Sequence, residues 1–148
     1  MSDPKPTGVY MLKWLDKQGR GTGGPGYYQY DLPKDGKPRK WHSITNKKRI
    51  QVCWNGFHCT TRRKYRNFEC FGPRLFIVEV AGSYDCHSDG NKVAFKHIRI
   101  VQELPINNKS FAINYSELNG STARSLFYKV LRVIPEGATH GIVGRGNL

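Results

Sequence analysis

The stretch Leu75–Val80 (LFIVEV) is the strongest constraint on how this chain can fold, because apart from Glu79 it is apolar on both faces of an extended segment. Such a run is too short to read as a buried helix, and it marks a strand covered on both sides. Gly82 closes it, Asp85–Asn91 is a polar turn carrying Asp89-Gly90, and Lys92–Gln102 (KVAFKHIRIVQ) then forms a long second strand. The polar turn between two apolar runs predicts an antiparallel pair at the centre of the molecule.

Other elements are arranged around that pair. Val9–Leu15 (VYMLKWL) is apolar on both faces and reads as a further, central strand. Tyr27–Leu32 and Trp41–Ile44 read as short strands, and Ile50–Trp54 (IQVCW) alternates and stops at the turn signal Asn55-Gly56. Thr60 or Thr61 can cap a short helix, RRKYRNF, which needs docking by Tyr65 and Phe68. Ser110–Leu118 is a second helical candidate. Ser121–Ile134 has helix-like apolar spacing, a cap at Ser121 and a stop at Pro135-Glu136-Gly137. The expected fold is a single α+β domain: a twisted, mainly antiparallel sheet with one or two short helices over residues 9–137. A loose tail over 1–8 and a C-terminal tail over 138–148 flank it. At 148 residues the chain suits one domain with a real core.

Charge narrows the function. The net charge is +13, and it is unevenly spread: Lys34–Arg74 holds twelve cations against Asp35 and Glu69. That segment therefore carries +10, and the other 107 residues only +3. A field of this kind attracts polyanions, nucleic acid foremost. The candidate contacts are Lys47, Lys48 and Arg49 on one loop and Arg62, Arg63, Lys64 and Arg66 on the short helix. Tyr28 and Trp41 border polar loops as stacking candidates. An acidic host protein is the other partner that such a face fits.

Three residues suggest chemistry. Glu79 shares a strand face with Leu75 and Ile77, so it is either a catalytic carboxylate or the partner of Arg74, Lys96 or Arg99. His58 and His97, with neighbouring cations, could act as base and acid in RNA cleavage. Against each stands a structural use: a turn that needs Gly56 explains the surroundings of His58. The glycine-rich Gln18–Gly26 is followed by YYQYDLP, which is no helix start, so it is not a phosphate loop. Cys53, Cys59, Cys70 and Cys86, with His58 and His87, lack the close pairs of a structural zinc site. Buried free thiols are expected instead, with no metal and no cofactor. No apolar run reaches membrane-spanning length and the first residues have no secretory h-region, so a cytoplasmic protein is expected.

Four stretches, taken in order, carry a resemblance. They are Lys13-Trp14-Leu15 followed by GRGTGGPG, Leu32-Pro33 followed by Trp41, the block Cys53-x-x-Gly56-Phe57-His58, and Gly72-Pro-x-Leu-x-x-x-Glu-Val-x-Gly82 followed by Asn-Lys-Val-Ala. Over roughly Val9–Leu104 the chain resembles a family of uncharacterised proteins of actinobacteria and their bacteriophages, classed as a domain of unknown function. The resemblance implies an α+β fold and a phage or actinobacterial origin. It implies no activity. From the residues, the expected function is that of a basic accessory protein of phage type that binds nucleic acid, or a host machine containing it, through an electrostatic face. The alternatives are an ADP-ribosyltransferase-like or ribonuclease-type enzyme using His58 and Glu79, and an inhibitor of an acidic host protein.

Overall fold

The computed structural model describes residues 2–22, 28–34, 37, 39–67, 72–86, 91–118, 120–133 and 144–148. Its spine is the pair expected from the apolar runs: β4 (Arg74–Cys86) lies antiparallel to β5 (Val93–Leu104). β1 (Tyr10–Leu15) pairs with the first half of β4, and β6 (Gly144–Asn147) with Ser83–Cys86 on the same edge. On the far edge of β5 lie β2 (His42–Ser43) and β3 (Phe57–Cys59). All these pairings are antiparallel, in one six-stranded sheet. After β3, Thr60 exchanges backbone hydrogen bonds with Leu12 (2.8 and 2.9 Å), so the free edge of β1 is covered.

Two register breaks bend the central pair. One lies between Ile77 and Val78, the other between Ala81 and Tyr84. Such bulges sharpen twist and let a long strand curl over a core. Gly82 sits at the second break with φ +79°, and a β-carbon there would lie 2.6 Å from Cδ2 of His97. Glycine is thus required by both backbone and space.

Alternation along the strands sorts side chains into two cores. Met11, Leu15, Phe76, Val78, Val80, Ile98 and Ile100 form one, covered by Tyr30 and Phe57. Leu12, Trp14, Leu75, Ile77, Val101 and Leu104 form the other, covered by Tyr65, Ile113, Leu118 and Phe127. Phe127 comes from α1 (Ser121–Lys129). The Trp14 indole N–H donates to the Tyr65 carbonyl (2.9 Å), and the Tyr65 hydroxyl accepts from Ile113 N–H (3.0 Å). This pins the basic segment 62–67 to the sheet. The result is one α+β domain dominated by its sheet.

Several expected elements take another form. Ile50–Trp54 is a turn, not a strand: Asn55 closes back onto Gln51 (2.8 and 2.9 Å), Cys53 has φ 71°, and Val52 N–H donates to the Asp85 carboxylate (2.8 Å). Its alternation reflects Ile50 and Val52 packing down on Ala94. The RRKYRNF segment forms turns and one 3-10 turn, Tyr65–Asn67, docked by Tyr65; Phe68 lies outside the described residues. Ser110–Leu118 holds only the 3-10 turn Tyr115–Glu117.

Helix α1 ends at Lys129 because Val130 turns extended (ψ 134°) and bridges to Tyr10 in parallel. The expected stop at Pro135–Gly137 lies outside the described residues. Of the expected strand Tyr27–Leu32, the described residues 28–32 hold a single bridge, Gln29 to Arg20. The apolar run continues past Val80, so Gly82 bends the strand instead of ending it. Neither tail is wholly loose. Thr7 and Gly8 are held by Glu79, and β6 extends the sheet from the C-terminal side. Gly23–Gly26 and the Asp89-Gly90 turn lie outside the described residues.

Candidate nucleic-acid interface

The basic loop Lys47–Arg49 is built by asparagines. Asn46 Oδ1 accepts Lys48 N–H (3.0 Å), bending the chain in an Asx turn. The Asn55 side-chain amide then donates to the carbonyls of Lys48 (3.2 Å) and Arg49 (3.1 Å) and pairs with Asn46. All three cations of the loop are exposed. Beneath it lies a groove of about 150 Å³ lined by Ile44, Asn46, Lys48, Arg49, Ile50, Ser83, Tyr84 and Lys96. Three cations line it and no carboxylate does, and among the described residues no ion pair joins Lys48, Arg49 or Lys96 to an acid. Cofactor-sized ligands need roughly 300–1,000 Å³. This groove has room for a phosphate-sized anion and continues into open surface.

The second basic segment does several jobs. Arg62 is half-buried, with Nε donating to the Val130 carbonyl (3.0 Å) and its guanidinium 5.3 Å from the Phe127 ring centre. It docks the end of α1. Arg66 reaches the Ser110 carbonyl (3.3 Å) from an exposed position, Arg63 is exposed, and Lys64 is half-buried. Residues 91–92 touch both the end of this segment and the 51–55 turn. The Asn91 amide donates to the Asn67 carbonyl (3.1 Å), and the next residue, Lys92, places Nζ 3.6 Å from Sγ of Cys53.

The aromatic candidates divide. Tyr28 is 49% exposed, although its hydroxyl lies 2.8 Å from Nδ1 of His42 and its ring packs edge-on against Tyr30 and Phe57. Trp41 is half-buried, and the Arg99 guanidinium covers one face of its ring at 4.8 Å. Among the described residues the most exposed aromatic is Trp54, 81% exposed on the 51–55 turn. Sequence reasoning missed it, because an indole in an alternating run reads as core. It missed Lys96 as well, whose place in the groove follows only from the β2–β5–β4 arrangement.

The residues considered for catalysis are each held in a structural role. Glu79 is 1% exposed. Its Oε1 accepts both Nε (3.0 Å) and a terminal nitrogen (2.6 Å) of Arg99, and its Oε2 accepts the N–H groups of Thr7 (2.9 Å) and Gly8 (3.1 Å). His58 Nε2 accepts Cys53 N–H (2.7 Å), so the neutral ring carries its proton on Nδ1. Burial, together with Lys13 and Lys92, lowers its pKa to about 4. His97 packs on Gly82 with Nδ1 2.7 Å from the Ser43 hydroxyl, and burial with Lys96 lowers its pKa. Glu79 lies opposite Arg99 and His97 opposite Ala81, successive pairs on one face, whereas His58 lies opposite Ala94, so the register does not bring all three together.

Lys13 is a further missed residue. It is buried in the first core, with Nζ donating to the His58 carbonyl (2.6 Å) and 5.2 Å from the Tyr30 ring centre. Cys59 and Cys86 are buried and Cys53 is exposed; burial pushes the Cys59 thiol up to about 12. Cys70 and His87 lie outside the described residues, among which no three His, Cys, Asp or Glu side chains cluster as a metal site. Among the same residues no helix is long and apolar enough to cross a membrane.

The fold and the groove together define a class: a small sheet-dominated α+β domain with a groove lined by Lys48, Arg49 and Lys96. The chain belongs to the family described as a domain of unknown function, DUF7666, whose profile matches residues 9–110. No curated protein and no solved structure matches the chain.

Proposed function

We propose that this chain binds nucleic acid by phosphate contact through the groove lined by Lys48, Arg49 and Lys96. The observation that carries the reading is that these three exposed-loop and strand cations surround one phosphate-sized groove with no carboxylate in its wall. Cations already satisfied by acids, such as Arg99 on Glu79 and Arg74 on Glu103, are elsewhere. Lys47, Arg63 and Arg66 add exposed charge around the face, while Arg62 contributes mainly by holding the segment in place. Contacts of this kind position the polymer and carry little sequence information. The resemblance noted above supports the setting: an accessory protein of an actinobacterium or its phage, acting in the host cytoplasm.

The test is a binding titration of the purified protein and of a Lys48→Gln/Arg49→Gln/Lys96→Gln variant against labelled nucleic acid at low salt. The reading expects tight binding by the parent and a loss of at least about tenfold in the variant. Equal binding by the two proteins would show that the groove is not the contact surface. Absence of binding by the parent would end the nucleic-acid reading and leave the basic face to an acidic protein.

A further inference from the structure

We infer that the strand taken up by this face is single, its unpaired bases stacking on the indole of Trp54. The inference rests on the nucleic-acid reading above and adds the substrate class. Its basis is the way Trp54 is presented. Trp54 is 81% exposed, on a turn whose backbone is fixed from three directions. Trp54 and Asn55 N–H both donate to the Gln51 carbonyl (3.1 and 2.9 Å). The Asn55 side chain ties the turn to the carbonyls of Lys48 and Arg49, the same residues that line the groove. Cys53, immediately before the indole, sits at φ 71°, a conformation side-chain-bearing residues rarely adopt, and His58 holds its N–H at 2.7 Å. A strained residue held by a half-buried neighbour beside an exposed ring is a backbone outlier that points to use.

The chemistry then follows from spacing. Lys48 and Arg49 are tied to the turn through the Asn55 amide, and Lys92 reaches Cys53, the residue before the indole. An exposed ring on a turn joined to basic residues offers the two contacts a single strand can use, a base face and a phosphate. In a duplex the base faces are stacked on one another and closed to an indole. Duplex could then use only the cations, and a single strand would use both. Neither Tyr28 nor Trp41 offers the same platform. The Tyr28 ring is packed edge-on against three other rings, and Arg99 lies on Trp41.

The experiment compares the full chain with Trp54→Ala and Trp54→Phe, using an oligothymidine of roughly 12 nucleotides and a duplex of equal length. Because the side chain is exposed, both variants should fold, which their thermal melts check. The expected result is that Trp54→Ala weakens oligothymidine binding by about 5- to 150-fold, that Trp54→Phe restores most of it, and that duplex affinity is unchanged. Tryptophan fluorescence should fall when oligothymidine binds the parent, and this quenching should be absent in Trp54→Phe, since Trp14 is buried and Trp41 is covered by Arg99. Equal affinity for the two polymers, with neither altered in Trp54→Ala, would overturn the stacking inference and leave the basic groove standing. No binding of either polymer at low salt would overturn the groove reading, and this inference with it.

Discussion

Replacing Glu79 with alanine should destabilise the fold far more than any surface change. The carboxylate is 1% exposed and accepts four hydrogen bonds: two from Arg99 on Oε1, and one each from Thr7 and Gly8 on Oε2. The alanine variant strands the Arg99 guanidinium, whose side chain is only 21% exposed, without its counter-charge. Removing one partner of a buried pair costs about 3–5 kcal/mol. A domain of this size loses roughly 3–4 °C of Tm per kcal/mol, so the expected drop is about 10–20 °C. Glu79→Gln should fall between. Its oxygen can still accept from Arg99, but its amide then faces two N–H donors. The double replacement Glu79→Leu/Arg99→Leu should recover more than half of the loss, because no charge is left uncompensated. Circular-dichroism melts of the four proteins measure this directly. A drop below about 3 °C for Glu79→Ala, the size of an exposed-pair effect, would refute the structural account and return Glu79 to the catalytic candidates.

Three further predictions follow from the geometry. The folded His58 has a pKa near 4 while the unfolded imidazole titrates at its ordinary value near 6.5. Between those values only the unfolded chain takes up the proton, so this contribution is full above about pH 6.5 and is lost as pH falls toward 4, on the order of 2–3 kcal/mol. Urea unfolding at pH 7 and 4.5 should therefore show a steeper acid loss for the parent than for His58→Ala, and parallel curves would contradict the assignment. Gly82→Ala should cost at least about 1–2 kcal/mol from its φ of +79° alone, plus the displacement of His97, and a urea midpoint within error of the parent would count against the bulge geometry. Arg62→Ala should lower stability by about 1 kcal/mol or more, through the lost Val130 hydrogen bond and ring contact, while leaving nucleic-acid affinity within about twofold. A large affinity loss without destabilisation would make Arg62 a contact residue instead.

The central pair was legible because LFIVEV is largely apolar on both faces and is followed, after a polar turn, by the long apolar-rich run KVAFKHIRIVQ. The strand at Val9–Leu15 was legible for the same reason, although Lys13 inside it is held by partners that the pattern could not show. Ile50–Trp54 misled because a turn that plants Ile50 and Val52 on Ala94 yields the same alternation as a strand. The bulges at Val78 and Gly82 leave no periodic trace, so the true length of β4 was hidden. The candidate site was half legible. Its loop cations stood out as a charge cluster. Lys96 did not, since an outward lysine on a strand gives no sign that the fold will bring it under a loop nearly fifty residues earlier. Trp54 was hidden by its own type, because the residue most often buried in such a run is here the most exposed of the three tryptophans.

The most direct test of the central claim is the slope of binding affinity against salt for the parent and for the Lys48→Gln/Arg49→Gln/Lys96→Gln variant. Each phosphate neutralised adds about 0.7 to the log–log slope on a single strand and about 0.9 on a duplex. Loss of three contacts should flatten the slope by about 2 on oligothymidine. The same slope in both proteins, or affinity in the parent that is insensitive to salt, would contradict a phosphate-contacting groove.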